Sequence, residues 1–120
     1  MRVLVVDAAN VIGSVPDGWW SDRPGAARRL HHGLVAADLG FDRIVLVLEG
    51  RARDGVPAGT VGTVETVHAP ASGDDEIVAQ VAAADPAHVT LASADRGLLA
   101  RVPDAVPLGP RTLRDQLPGR

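Results

Sequence analysis

Cysteine and lysine are missing from the chain, and each absence removes a class of function. Without cysteine, the 120 residues contain no disulfide framework and no thiolate metal site. All twelve basic residues are arginine, so Schiff-base chemistry, the P-loop lysine and the lysine of phospho-receiver domains are excluded. The net charge of −3 also argues against a broad basic surface for nucleic acid, although local arginine patches can still bind it.

Long apolar segments are scarce as well. No run approaches the roughly 20 apolar residues that a transmembrane helix requires, and Asp7 interrupts the first apolar stretch, so neither a membrane span nor a signal peptide is expected. We therefore expect a cytoplasmic protein without membrane contact. A length of 120 residues, 46% of them hydrophobic, predicts a single domain over residues 1–120 with one buried core.

Segments of branched apolar residues alternate with helical patterns along the chain. The uninterrupted apolar runs are typical of parallel strands that are covered on both faces. We predict strands at 2–7, 43–48, 60–67, 88–93 and 105–108, of which the third is a shorter edge strand. This alternation predicts a three-layer α/β/α sandwich with a mainly parallel five-stranded sheet, in the order 3-2-1-4-5.

Helix signals occupy most of the segments between these strands. Ser21 or Asp22 is a suitable N-cap for a helix that reaches about Leu39 and is closed by Gly40. Further helices are predicted from Asp74 to about 85–86, through 98–102, and over 112–117. The segments 13–18 and 51–59 are rich in turn formers and are predicted to be loops.

Acidic residues stand where the predicted strands end. Asp7 ends the first strand, Glu49 follows the second and Asp95 follows the fourth, while Asp74 and Asp75 open the helix before the fourth strand. Because the carboxyl ends of parallel strands share one edge of the sheet, these acids are expected to meet there. Carboxylates crowded together without lysine repel one another unless a cation lies between them, and oxygen ligands suit Mg²⁺ or Mn²⁺. The pattern predicts a divalent-metal site suited to phosphodiester hydrolysis.

The order and spacing of these motifs resemble the NYN branch of the PIN-like nucleases over nearly the whole chain, from Val3 to about Leu113. The resemblance is carried by Asp7 with Asn10, by Glu49-Gly50, by Ser72-Gly73-Asp74-Asp75, and by Ser93-Ala94-Asp95-Arg96. It implies a PIN-like fold and a metal-dependent endoribonuclease that acts on RNA with Mg²⁺ or Mn²⁺.

The resemblance also implies residue roles. Asp7, Asp75 and Asp95 would bind the metal, with Glu49 as a further acid. Asn10 would orient Asp7 or the attacking water, and the hydroxyl of Ser93 would support the turn that carries Asp95. The Gly-x-Asp spacing favours Asp75 over Asp74, and Asp74 is the alternative ligand or a supporting residue.

The chain departs from the family pattern at three positions. Ala8 stands where glycine is frequent, Glu49 stands where aspartate is common, and Gly97 stands where many PIN domains carry an additional acid. Fewer acids leave a sparse cluster, so one metal is expected rather than two.

Substrate contacts are predicted near the same end of the sheet. Trp19 and Trp20 are two of only three aromatic residues, and both lie in the loop after the first strand. We predict that Trp20 packs in the core and that Trp19 is available to stack on an unpaired base. Arg23, Arg51 and Arg96 lie in or beside the neighbouring loops and would contact phosphates.

Two functions from different classes remain open from the sequence. The first is the metal-dependent ribonuclease. The second is a PIN-like module that binds RNA or a protein partner with little or no catalysis, which the missing acid at Gly97 and the net negative charge favour. A homodimer through an exposed apolar face near Val61, on the predicted edge strand, is a further open alternative.

Overall fold

The computed structural model describes residues 1–84 and 88–118, and they form an α/β protein built on one six-stranded sheet. The strands are β1 (Val3–Asp7), β2 (Arg43–Leu48), β3 (Gly59–Val61), β4 (Val64–His68), β5 (Val89–Ala92) and β6 (Val106–Leu108). Their order is β3-β4-β2-β1-β5-β6, and only the β3–β4 pair is antiparallel. The predicted three-layer fold is confirmed, with β1 at the centre of the sheet.

The helices cover both faces of the sheet. They are α1 (Ala8–Gly13), α2 (Arg23–Ala36), α3 (Gly73–Ala83), α4 (Arg96–Arg101) and α5 (Pro110–Asp115), with short 3₁₀ helices η1 (Trp19–Ser21) and η2 (Gly50–Gly55). None of the helices in the described ranges is long and apolar enough to span a bilayer.

Alternate residues of the central strands divide the core into two layers. Leu4 and Val6 of β1 pack on the face covered by α1, α2 and α5. Val3 and Val5 pack on the opposite face against residues of α3 and α4, among them Ile77. Because successive side chains of a strand point to opposite faces, a strand covered on both faces must be apolar at every position. This requirement explains the uninterrupted apolar runs of β1 and β2.

The sheet has one strand more than the sequence predicted. Residues 60–67 were expected to be one strand but form the β3–β4 hairpin, in which Val61 pairs directly with Val64. Gly62 lies between them with φ +58°, a backbone conformation that glycine adopts without steric cost. The spacing of three between Val61 and Val64 fits this turn and breaks the alternation of a continuous strand.

Several helix boundaries also differ from the predicted ones. The first helix after β1, α1, was not predicted, and the segment 51–59 contains η2 instead of being loop throughout. The second helix begins at Arg23 as expected from the Asp22 cap but ends at Ala36, since Ala37 is already extended. The predicted end of the third helix at 85–86 lies outside the described residues.

Candidate active site

Asp7 ends β1 and is the N-cap of α1, so the chain turns from strand to helix at its carboxylate. Its Oδ1 accepts a hydrogen bond from the backbone N–H of Asn10 (3.3 Å), and its Oδ2 accepts one from the hydroxyl of Ser93 (2.8 Å). The residue is only 6% exposed. An aspartate this buried needs such donors, because an ionised carboxylate removed from water is otherwise costly.

Ser93 connects Asp7 to the turn that carries Asp95. Its hydroxyl donates to Asp7 and accepts the backbone N–H of Asp95 (3.1 Å). Asp95 in turn caps α4, since its Oδ1 accepts the N–H of Leu98 (3.1 Å). Ser93 therefore lies between two acids at neighbouring strand ends, and its hydroxyl contacts the turn that carries Asp95.

Asn10 makes a different contact from the predicted one. Its side-chain Oδ1 accepts the backbone N–H of Ala94 (2.9 Å), and only its backbone N–H reaches Asp7. The asparagine side chain thus ties α1 to the turn after β5. In this structure it orients the segment before Asp95 and does not orient the carboxylate of Asp7.

Glu49 follows β2 and links it to the start of α3. Its Oε2 accepts the backbone N–H of Gly73 (3.1 Å). A Cβ atom at Gly73 would lie 2.7 Å from Oε1 of Glu49, so a larger residue there would displace the end of the glutamate side chain. A hydrogen bond to the backbone of Gly73 therefore holds Glu49 at the same edge of the sheet.

Of the two acids that open α3, the structure brings Asp74 into the group with Asp7, whereas the sequence favoured Asp75; which of them binds a metal stays a prediction. Ser72 is the N-cap of α3, and Asp75, three residues on, pairs with Arg101 (2.9 Å) with its side chain 72% exposed. Asp74 is half-buried, and its charge is the one of the two that acts on Asp7. Adjacent helical residues point about 100° apart, so one of the pair had to face away.

The charges of these acids act on one another across the site. Burial raises the pKa of Asp7, and the charges of Asp74 and Glu49 raise it further against the lowering effect of its hydrogen bonds from Ser93 and Asn10. Partial burial also raises the pKa of Asp74, as do the charges of Asp95 and Glu49. Four strand-end or helix-start acids thus share one electrostatic environment.

This group of acids is not a completed metal-binding cluster. Within residues 1–84 and 88–118, no three acidic or histidine side chains are arranged closely enough to hold a metal ion. Asp7 and Asp95 each use an oxygen to cap a helix, and Glu49 uses one on Gly73. The candidate ligands are all carboxylates, which Mg²⁺ and Mn²⁺ favour, but in this arrangement their oxygen atoms do not converge on one point.

A cleft of about 790 Å³ opens beside Glu49, and it also touches Ala8, the residue after Asp7. Its walls include Ala8, Trp19, Trp20, Arg23, Glu49 and Arg51. Three of the four predicted substrate-binding residues therefore lie around one cavity. The fourth, Arg96, is exposed at the first position of α4, directly after Asp95, and does not line this cleft.

The two tryptophans have the reverse of their predicted environments. Trp19 is half-buried and packs against the core layer below α1 and α2, whereas Trp20 is 56% exposed. Their rings meet edge to face, with centroids 5.7 Å apart and planes at 82°. The guanidinium of Arg23 lies 5.1 Å from the centre of the Trp19 ring. The side chain available for stacking is therefore Trp20.

The fold is similar to that of Rae1 (YacP) from Bacillus subtilis. Rae1 itself matches with a TM-score of 0.75 at 19% identity, over 96% of this chain and 72% of Rae1. A tryptophan-to-leucine mutant of Rae1 matches with a TM-score of 0.74 at 20% identity, over 96% of this chain and 74% of that one. The fold is PIN-like. No protein-family model and no curated protein matches the sequence.

Two features of this group of residues were missed from the sequence. The spacing of Ser72 and Asp75 is that of a capping box, which assigns Asp75 to the third helical position and leaves Asp74 as the acid that can face the site. Arg101 gave no such signal, because its contact with Asp75 joins two helices that are distant in sequence.

Proposed function

We propose that the protein is a metal-dependent ribonuclease that hydrolyses RNA phosphodiesters at the edge of the sheet where Asp7 lies. The observation that carries the proposal is the link from Asp7 through Ser93 to Asp95, together with the charges of Asp74 and Glu49 acting on the same place. The PIN-like fold and the resemblance of the motifs to NYN nucleases support it.

Asp7, Asp74 and Asp95 would hold a Mg²⁺ or Mn²⁺ ion, with Glu49 as a fourth acid. Their mutual repulsion favours a cation, because a positive charge between carboxylates lowers the cost of keeping all of them ionised. When bound, such an ion lowers the pKa of a water molecule and neutralises charge on a phosphate. Since Asp74 and Asp95 are not fully buried, their side chains can rotate toward an ion.

The protein's own residues supply the remaining parts of the site. Ser93 and the N–H of Asn10 hold the buried carboxylate of Asp7 in one orientation. Arg23 and Arg51 line the adjacent cleft, where they would neutralise RNA phosphates that approach an otherwise acidic edge.

A second candidate function is an RNA-binding module of the same fold with little or no catalysis. It is favoured by the lack of a preformed metal cluster among the described residues and by Gly97, which adds no carboxylate to α4.

Calorimetric titration of Mn²⁺, paired with cleavage of a mixed RNA pool, separates the two functions. The nuclease requires Mn²⁺ binding and Mn²⁺-dependent cleavage by the wild type, and loss of both in Asp7→Asn. Glu65→Gln is the matched control, because Glu65 is an acid of β4 that lies away from the site and pairs with Arg43 of β2. If the wild type binds RNA but binds no Mn²⁺ and cleaves nothing, the proposal of catalysis is wrong and the binding module stands.

A further inference from the structure

The cleft beside the acids contains an exposed aromatic side chain that the nuclease chemistry does not use. Trp20 is 56% exposed and lines the cleft, as does Ala8, the residue after Asp7. A single exposed apolar side chain is ordinary on a protein surface. Trp20 differs from such a side chain because a hydrogen-bonded turn carries it, a second aromatic ring packs against it and two arginines line the same cleft.

The backbone that carries Trp20 is held at both ends. Gly18 caps η1 with φ +87°, and its carbonyl accepts hydrogen bonds from both the N–H (3.1 Å) and the hydroxyl (2.8 Å) of Ser21. Asp22 then caps α2 through the N–H of Gly25 (2.9 Å). The indole is thus presented by a short, hydrogen-bonded turn, and little conformational entropy is lost when a ligand stacks on it.

Trp19 supports the exposed ring from the side. It packs into the core, meets Trp20 edge to face, and lies under the guanidinium of Arg23. The exposed ring of Trp20 therefore lines the cleft beside a partly buried aromatic ring. Arg23 is held beside the pair by the same contact.

The opposite wall, formed by η2, is equally well anchored. Arg53 donates to the carbonyl oxygens of Gly50 (3.0 Å) and Ala69 (3.3 Å). His68 of β4 forms a hydrogen bond with the carbonyl of Val56 (2.7 Å), just after η2. Arg51 belongs to the same segment and lines the cleft, whose volume of about 790 Å³ lies within the range of small-ligand sites, roughly 300–1,000 Å³.

We propose that this cleft binds an unpaired nucleobase of single-stranded RNA, with the base stacked on Trp20 and the flanking phosphates at Arg23 and Arg51. The proposal rests on the proposed ribonuclease function and makes it selective for single strands. An aromatic ring can stack on any base that is not already stacked in a duplex, and arginine neutralises the adjacent phosphates. A base in a duplex is already stacked on its neighbours and cannot offer a free face to Trp20.

The test measures binding in EDTA, so that it does not depend on metal or cleavage. A labelled, uncleavable 2′-O-methyl RNA decamer is titrated by fluorescence anisotropy, either alone or annealed to its complement. The wild type should bind the single strand at least about tenfold more tightly than the duplex. Trp20→Ala should lose about tenfold or more of that affinity, whereas Trp20→Phe should keep most of it. Val106→Ala is the control, since Val106 is 59% exposed on β6, outside the cleft, and should bind as the wild type does.

Intrinsic fluorescence provides a second readout, because Trp19 and Trp20 are the only tryptophans in the chain. Quenching by the single strand in the wild type and its loss in Trp20→Ala would support the proposal. Equal affinity of Trp20→Ala and the wild type, or equal binding of duplex and single strand, would overturn it. AMP binding as tightly as the decamer would also overturn it, in favour of a mononucleotide site.

Failure of this inference and failure of the nuclease proposal give different results. A wild type that cleaves RNA with Mn²⁺ while Trp20→Ala binds unchanged leaves the nuclease intact and refutes the base site. A wild type that binds single strands through Trp20 but never cleaves supports the base site and refutes the nuclease.

Discussion

At the scale of single residues, Ser93 shows how one buried hydroxyl can organise two acids. It donates to Asp7 and accepts from the N–H of Asp95, so both of its hydrogen-bonding functions are used between neighbouring strand ends. Neutral hydrogen bonds are worth about 0.5–1.5 kcal/mol and those to charged groups about 1.5–3 kcal/mol. The contact to Asp7 is therefore the stronger of the two, and it offsets part of the cost of burying that carboxylate.

Replacing Asp7 with asparagine is expected to raise the melting temperature at pH 7 in the presence of EDTA. Burial raises the pKa of Asp7 above its ordinary value of 3.8, so the folded state binds protons more readily than the unfolded state. Stability therefore falls as the pH rises from that ordinary value through the folded-state pKa. The uncharged asparagine avoids this loss of stability. The difference in melting temperature between the variant and the wild type should therefore narrow as the pH is lowered toward about 4. Thermal unfolding followed by circular dichroism checks this, and a variant that is less stable than the wild type at every pH would contradict it.

The neighbouring aspartates of α3 are expected to behave differently. Asp74→Asn should weaken Mn²⁺ binding and RNA cleavage by more than about tenfold, because it removes an acid whose charge acts within the site. Asp75→Asn should leave both within about threefold of the wild type, since this side chain is exposed and pairs with Arg101. Calorimetry and cleavage assays on both variants make the comparison. A greater loss in Asp75→Asn than in Asp74→Asn would restore the choice made from the sequence.

At the scale of secondary-structure elements, the site depends on how helix starts meet strand ends. Asp7, Ser72 and Asp95 cap α1, α3 and α4 respectively. Two of these three caps are also proposed metal ligands. The hydrogen bonds that begin the helices therefore place the acids as well, and the side chain of Asn10 joins the first of these helices to the turn that precedes the last.

The packing of η2 against α2 offers a test at this scale. A Cβ atom on Gly55 would lie 2.0 Å from the backbone carbonyl oxygen of Pro24, so Gly55→Ala must displace one element from the other. We expect a loss of about 1–3 kcal/mol in the free energy of unfolding, together with weaker binding of single-stranded RNA, because η2 carries Arg51.

Gly13→Ala is the matched control for this substitution. Its added Cβ would make only an ordinary contact, 3.8 Å from Trp19, so its stability should equal or slightly exceed that of the wild type. Urea denaturation measures both variants. Equal stability of Gly55→Ala and Gly13→Ala would show that η2 can move away from α2 without cost.

At the scale of the whole molecule, charge limits how the protein binds RNA. The net charge is −3, and the proposed phosphate contacts are two arginines beside a group of acids. Long-range attraction of RNA is therefore weak, and affinity must come largely from stacking and from the few local ion pairs. Val61 is exposed on the edge strand β3. A homodimer through this edge stays a prediction.

A shallow dependence of RNA affinity on salt is the expected consequence. For single strands the slope of log K against log salt is about −0.7 for each neutralised phosphate, so contacts from Arg23 and Arg51 should give about −1.4. Arg51→Ala should reduce its magnitude by about 0.7. Anisotropy titrations of the uncleavable decamer across a salt series measure the slope. A much steeper slope would mean that further arginines, such as Arg96, contact the RNA.

The sequence alone determined the layered fold and the strand ends at which the acids lie. A strand covered on both faces must be apolar throughout, and parallel strands place their carboxyl ends at one edge, so runs such as Val3–Val6 and the acid after them are visible without coordinates. The start of α2 was also visible to within one residue, since a helix cap depends on residues close in sequence, and the structure selects Asp22 from the two candidates Ser21 and Asp22.

The tertiary structure decided which member of each adjacent pair faces the site. Asp74 and Asp75 differ by about 100° of rotation on α3, and Arg101 from another helix holds the second one away. Trp19 and Trp20 are also adjacent residues that point in different directions, and the packing of η1 against the core determines which of them is buried. Such choices depend on the angle at which an element packs against distant residues, and local sequence patterns do not contain that angle.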